Sequence, residues 1–131
     1  MSIPIGLKGR AEDAVSESNT AQAACSGTLP VFGTPFLCAL MEKAAWTSIA
    51  PYLEEGQGTV GTRLEVTHDA ATPVGMKVWA QAELTAIDRR ALTFSVSAYD
   101  EAGLIGRGEH KRFLIDDAKF LAKAQGKLEG R

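Results

Sequence analysis

From residue 59 onward, apolar and polar positions alternate with a period of two, the signature of half-buried β-strands. Val60, Thr62, Leu64 and Val66 fall on one side of the first run, and Gly61, Arg63, Glu65 and Thr67 on the other; His68 continues the apolar phase. A second run sets Met76, Val78, Ala80, Ala82, Leu84 and Ala86 against Lys77, Trp79, Gln81, Glu83 and Thr85. A turn at Asp88, Arg89 and Arg90 leads to a third, with Leu92, Phe94, Val96 and Ala98 on its apolar side. A turn over residues 100–103 leads to the fourth, in which Leu104, Gly106, Gly108, His110, Arg112 and Leu114 oppose Arg107, Glu109 and Lys111. Gly106 and Gly108 are expected to let a helix approach closely or the strand bend.

Residues 34–52 read differently. Thr34 is expected to cap a helix whose first residue is Pro35, and Pro51 to end it. Residues 36–41 are apolar all round, so this helix is expected to be buried. Glu42 interrupts the apolar run. An unpaired buried carboxylate is costly, so Glu42 is expected to have a partner, a raised pKa or a chemical role. Ahead of the helix, residues 6–18 give a polar edge strand, and residues 19–33 a loop of small residues with little to bury. Asp116 or Asp117 is expected to cap a short helix over 118–124 with a frayed tail. The predicted class is α+β in a single domain spanning 1–131, an antiparallel sheet curled round one central helix. The exposed strand edges predict pairing with a second copy.

The 131 residues and net charge of −2 fit one modest domain with no basic stripe for nucleic acid. Cys25 and Cys38 form no CxxC or His/Cys cluster, so neither a metal site nor a disulfide framework is expected. Residues 1–10 lack the basic, apolar, small order of a signal peptide, and no apolar run is long enough for a bilayer. A soluble cytoplasmic protein without cofactor, nucleic-acid partner or membrane is therefore expected. Gly-rich pieces such as GQGTVG sit in strand–turn contexts, which makes them poor phosphate loops.

The segments VFGTPFLCALMEKAAW, GTRLEVTHDAATP and GLIGRGEHKRF resemble the hot-dog acyl-CoA thioesterases related to fluoroacetyl-CoA thioesterase. The resemblance runs over about 31–120. It implies a homodimeric hot-dog fold, hydrolysis of a short or small acyl-CoA, and catalysis by Thr34, Glu42 and His68. It further implies that Gly61 lines the acyl end of the site and that Arg112 lies near it. Residues 21–30 depart from the family's fluoroacetyl-specific member, whose aromatic-rich lid is longer; here the stretch has no aromatic residue.

The residue types suit the chemistry. A carboxylate can activate water or attack a carbonyl, an imidazole can relay a proton, and a helix start favours an oxyanion. Thr34 and Glu42 are eight residues apart, about 12 Å along a helix axis, so one carbonyl cannot touch both within a chain without a bridge. Either His68 spans the gap or the site crosses a dimer interface. Plainer readings stand beside these: Glu42 paired with Arg112, His68 and His110 as structural histidines, Thr34 as a cap, and Trp46 and Trp79 as core or interface anchors. A hot-dog hydratase or dehydratase and a non-catalytic acyl-CoA binder are the competing functions.

Overall fold

The alternating runs form four long antiparallel strands in a computed structural model that describes residues 3–130. After β1 (Lys8–Ala14) come α1 (Thr34–Ile49), a 3-10 turn (Ala50–Tyr52), β2 (Gln57–His68), β3 (Lys77–Asp88), β4 (Ala91–Asp100), β5 (Gly103–Asp116) and α2 (Asp117–Glu129). The sheet order is β1-β3-β4-β5-β2, with antiparallel pairing throughout. β1 and β2 are therefore the two edges. This is the α+β arrangement expected, with α1 packed against β1, β2, β3 and β4.

The inward faces of β3 and β4 follow the alternation as far as Leu84; the β3–β4 register slips between Leu84 and Ala86, and Ala86, expected inward, is exposed. Val78, Ala80, Ala82 and Leu84, and Leu92, Phe94, Val96 and Ala98, are buried against Leu37, Leu40, Met41, Ala44, Ala45 and Ile49 of α1. Small residues on β3 let the helix settle close to the sheet, and removal of this apolar surface from water stabilises the layer contact.

Two bulges change the phase of the other strands. The β2–β5 register slips between Gly61 and Arg63, so Thr62 is an extra residue. Leu64, Val66 and His68 keep the inward side, but before the bulge the inward residues are Thr59 and Gly61, cross-strand from Leu114 and Arg112. Gly61 thus lies on the helix side of the sheet, opposite to the side its alternation with Val60 and Thr62 predicts. The second slip, between Ala98 and Tyr99, leaves Ile105 unpaired on β5. Ile105 is buried and Leu104 is exposed, the reverse of the simple alternation. A bulge adds one residue without a turn signal, so the pattern on one side of it misreports the face on the other.

Five further expectations change. One sheet covers one side of a helix, so α1 is not buried all round: Pro35, Ala39, Lys43 and Trp46 form an open stripe. The cap of α1 is Gly33, with no side-chain cap bond; Thr34 is already helical and Pro35 follows it. The close strand–helix approach is at Gly9, where a side chain would strike the Ala44 carbonyl and Ser48. At Gly106 the space is filled instead by the Leu37 side chain and the Thr67 carbonyl of the adjacent strand. The final helix is longer than 118–124, capped by the Asp116 carboxylate accepting from the Lys119 N–H at 3.1 Å. The end of the expected tail, at Arg131, lies outside the described residues. Neither tryptophan enters the core: Trp46 is exposed, and Trp79 stacks on Tyr99 beneath the Arg10 guanidinium on the outer sheet face.

Candidate active site

Thr34 and His68 meet where α1 begins and β2 ends. Their side chains share a hydrogen bond of 2.8 Å between Oγ1 and Nδ1. The sheet delivers His68 because β2 keeps its inward phase to its last residue, opposite Gly106. The other ring nitrogen, Nε2, is shut from solvent and has no hydrogen-bond partner among the described residues. Burial pulls the His68 pKa down, opposed by the Asp69 carboxylate and more weakly by the nearby Ala70 backbone, so the ring is neutral at pH 7. A cavity of about 230 Å³ adjoins the pair, lined by Ser26, Val31, Phe32, Thr34, His68 and Ala70 among others. Residues 19–33, expected as a loop, form this wall. Backbone hydrogen bonds from Ala21 to Val31 and from Gly33 to Asn19 hold it folded on itself.

Glu42 lies two turns further along α1 and belongs to a second cluster. Its Oε2 accepts from Arg112 Nη1 at 3.3 Å and lies 3.9 Å from His110 Nε2. Arg112 also donates from Nε to the Thr59 hydroxyl at 2.9 Å and from Nη2 to the Thr59 carbonyl at 3.1 Å. Burial lowers the Arg112 pKa and the Glu42 carboxylate raises it again. The Glu42 side chain is itself 40% exposed, so the expected fully buried carboxylate is half-open and paired. Gly61 completes the cluster: a Cβ there would lie 2.7 Å from Glu42 Oε2 and 3.4 Å from Arg112 Nη1. The same carboxylate helps to raise the pKa of Cys38, one helical turn back, although burial is the larger cause.

The five candidate residues thus form two groups, Thr34 with His68 and Glu42 with Arg112 and Gly61. Among the described residues, Glu42 is paired with the Arg112 guanidinium and lies near the His110 ring, not His68.

Two features around the site were missed in the sequence. His110, expected as a structural histidine, is buried with both ring nitrogens partnered, and its link to Arg112 follows from their two-residue spacing on one face of β5. Thr72 lies between β2 and β3, and Asp100 ends β4. They form a buried hydrogen bond of 2.7 Å, while the Thr72 carbonyl accepts from the Phe32 N–H. This ties the segment after His68 to the segment before Thr34. Nothing in the local pattern marks it, since the partners are 28 residues apart in the chain.

A sequence model described as fluoroacetyl-CoA-specific thioesterase matches residues 15–118. The chain belongs to that family. It is 47% identical over 97 residues to the fluoroacetyl-CoA thioesterase of Streptantibioticus cattleyicolor, covering 74% of this chain and 70% of that one. A solved fluoroacetyl-CoA thioesterase superimposes with a TM-score of 0.91 at 37% identity, over 97% of this chain and 98% of that one. Other structures of that enzyme hold fluoroacetate with CoA, and acetyl-CoA in a threonine-to-serine variant. A Thermus thermophilus thioesterase-superfamily protein matches at 30% identity and TM-score 0.89, over 99% and 98%. The chain is an acyl-CoA thioesterase with the hot-dog fold. Among the described residues no helix is long and apolar enough to cross a membrane.

Proposed function

We propose that this thioesterase hydrolyses short or small acyl-CoA substrates at a site completed across a homodimer, with Thr34, Glu42 and His68 as its catalytic residues. Hydrolysis breaks the thioester C–S bond, adds the hydroxyl of water to the acyl carbon and delivers a proton to the CoA thiolate. Glu42 serves as base toward water or as the attacking carboxylate, and His68 carries the proton. Thr34 orients the imidazole, and the start of α1 stabilises the developing oxyanion.

The observation that carries this reading is the unpartnered, solvent-shielded His68 Nε2 beside a Thr34-bound Nδ1. A buried polar nitrogen without a partner is costly and marks a position that something else occupies. Glu42 of the same chain does not occupy it. A second copy supplies a carboxylate in a simple way. β2 is an edge strand, and edge strands pair. Antiparallel pairing of β2 with its own copy runs the two strands oppositely. The His68 end of one then lies toward the 57–61 end of the other, where Gly61 adjoins Glu42.

Gly61 and the small residues at 21–27 support a small acyl group, as do the acetyl-CoA and fluoroacetate complexes of the related enzyme. Arg112, bonded to Glu42 and adjoining Gly61, is proposed to contact substrate beside Gly61. The absence of aromatic residues from 21–30 places selectivity for fluoroacetyl over acetyl outside this reading.

The test combines a substrate survey with subunit mixing. CoA release from acetyl- and propionyl-CoA is expected to saturate and to be lost in Glu42→Gln; no turnover across chain lengths overturns the reading. An equal mixture of Glu42→Ala and His68→Ala chains is expected to recover about one quarter of wild-type activity. Half the dimers are then hybrid, each with one intact site. No recovery would place the whole site within one chain.

A further inference from the structure

His110 is 1% exposed and sits on the inward face of β5, between Leu64 of β2 and Phe94 of β4. Its Nδ1 lies 2.8 Å from the Arg63 carbonyl, next to the β2 bulge. A carbonyl only accepts, so Nδ1 carries the hydrogen. Nε2 lies 3.1 Å from Arg112 Nη1. A guanidinium only donates, so Nε2 presents its lone pair. The two neighbours between them fix the ring as neutral and as one tautomer. Arg112 Nη1 is in turn shared between His110 behind it and Glu42 in front of it. Two of the remaining guanidinium N–H groups go to Thr59.

We infer that His110 is a positioning residue for hydrolysis: its Nε2 holds Arg112 in the orientation that seats the Glu42 carboxylate. This rests on the reading of Glu42 as catalytic. The ionisable groups facing the ring are Arg112 from its own strand and Glu42 from α1; Leu64 and Phe94 close the other sides. Burial, outweighing the bond to Arg63, lowers the His110 pKa and keeps the acceptor available at neutral pH. Protonation would abolish that acceptor and set an imidazolium against the guanidinium.

Two amide variants divide the functions of the ring. His110→Gln places an amide oxygen near the position of Nε2, toward Arg112. His110→Asn places an amide nitrogen near the position of Nδ1, toward Arg63. His110→Gln is expected to keep kcat within about threefold of wild type, and His110→Asn to lose about tenfold or more, with similar KM. Melting temperatures separate this from fold loss: a ring that only pins β5 to β2 gives His110→Asn the higher kcat. That result, or equal kcat in the two variants, overturns the inference. Wild-type turnover by Glu42→Gln alone would sink the catalytic reading of Glu42 itself. A dead Glu42→Gln with equal His110 variants would sink only the role given to His110.

Discussion

The hydroxyl of Thr34 is not spent on the helix start, where Gly33 already provides the cap. That freedom makes its bond to His68 testable. Thr34→Ser keeps an oxygen within reach and is expected to retain most activity. Thr34→Val removes it and leaves a second ring nitrogen without a partner. The expected loss in kcat is about 10- to 100-fold, measured by CoA release, with a small change in melting temperature. Gly61 makes the opposite case, a position that must stay empty. Gly61→Ala puts a methyl group 2.7 Å from Glu42 Oε2, so the carboxylate must shift. A displacement of that order is expected to lower kcat by about tenfold or more while the fold persists. Proton transfer has its own signature. With the His68 pKa held below its ordinary 6.5 by burial, the neutral base survives into mild acid. The acid limb of kcat/KM is therefore expected below pH 6.5 and should vanish as a feature in His68→Ala, whose residual rate is expected about 100-fold or more down.

At the scale of elements, the helix and the four long strands were legible because their periods differ and because each run ends at a real turn residue. What could not be read was phase across a bulge. Thr62 interrupts β2 within an unbroken alternation, so Gly61 was assigned to the face away from Glu42, although the family resemblance had placed it at the site. Leu104 and Ile105 were exchanged for the same reason. Thr34, Glu42 and His68 were legible as chemistry, one by one. Their division into two clusters was not, because it depends on which strand lies opposite which helical turn. The bulge itself is a prediction. Deleting Thr62 removes the unpaired residue and leaves Gly61 and Thr59 on the helix side, cross-strand from Arg112 and Leu114. CoA release is therefore expected to stay within about tenfold of wild type; abolished turnover with the fold intact would show that the kink at the bulge, and not only the face of 57–61, positions the site.

For the whole molecule, two histidines depart from their ordinary pKa in the same direction. Burial lowers both His68 and His110 from 6.5. The unfolded chain therefore binds more protons than the folded one as pH falls below that value, and stability falls with it. This contribution is fully present above about pH 6.5 and is lost as pH drops through the lowered folded values. The melting temperature is expected to be level near pH 7 to 8 and to fall toward about pH 5. His110→Gln should show a shallower fall, even from a lower starting point; an equally steep one would assign the acid sensitivity elsewhere.

One detail of β5 links these scales. The carbonyl of the bulged Ile105 accepts from both Asp69, at 2.7 Å, and Ala70, at 3.2 Å. A single oxygen thus clasps the chain immediately beyond His68. Any fluctuation that lifts the β4–β5 turn must release both amides at once, and the imidazole with them. Deuterium uptake at Asp69 and Ala70 would then report, in solution and without substrate, how often the enzyme's histidine is off station.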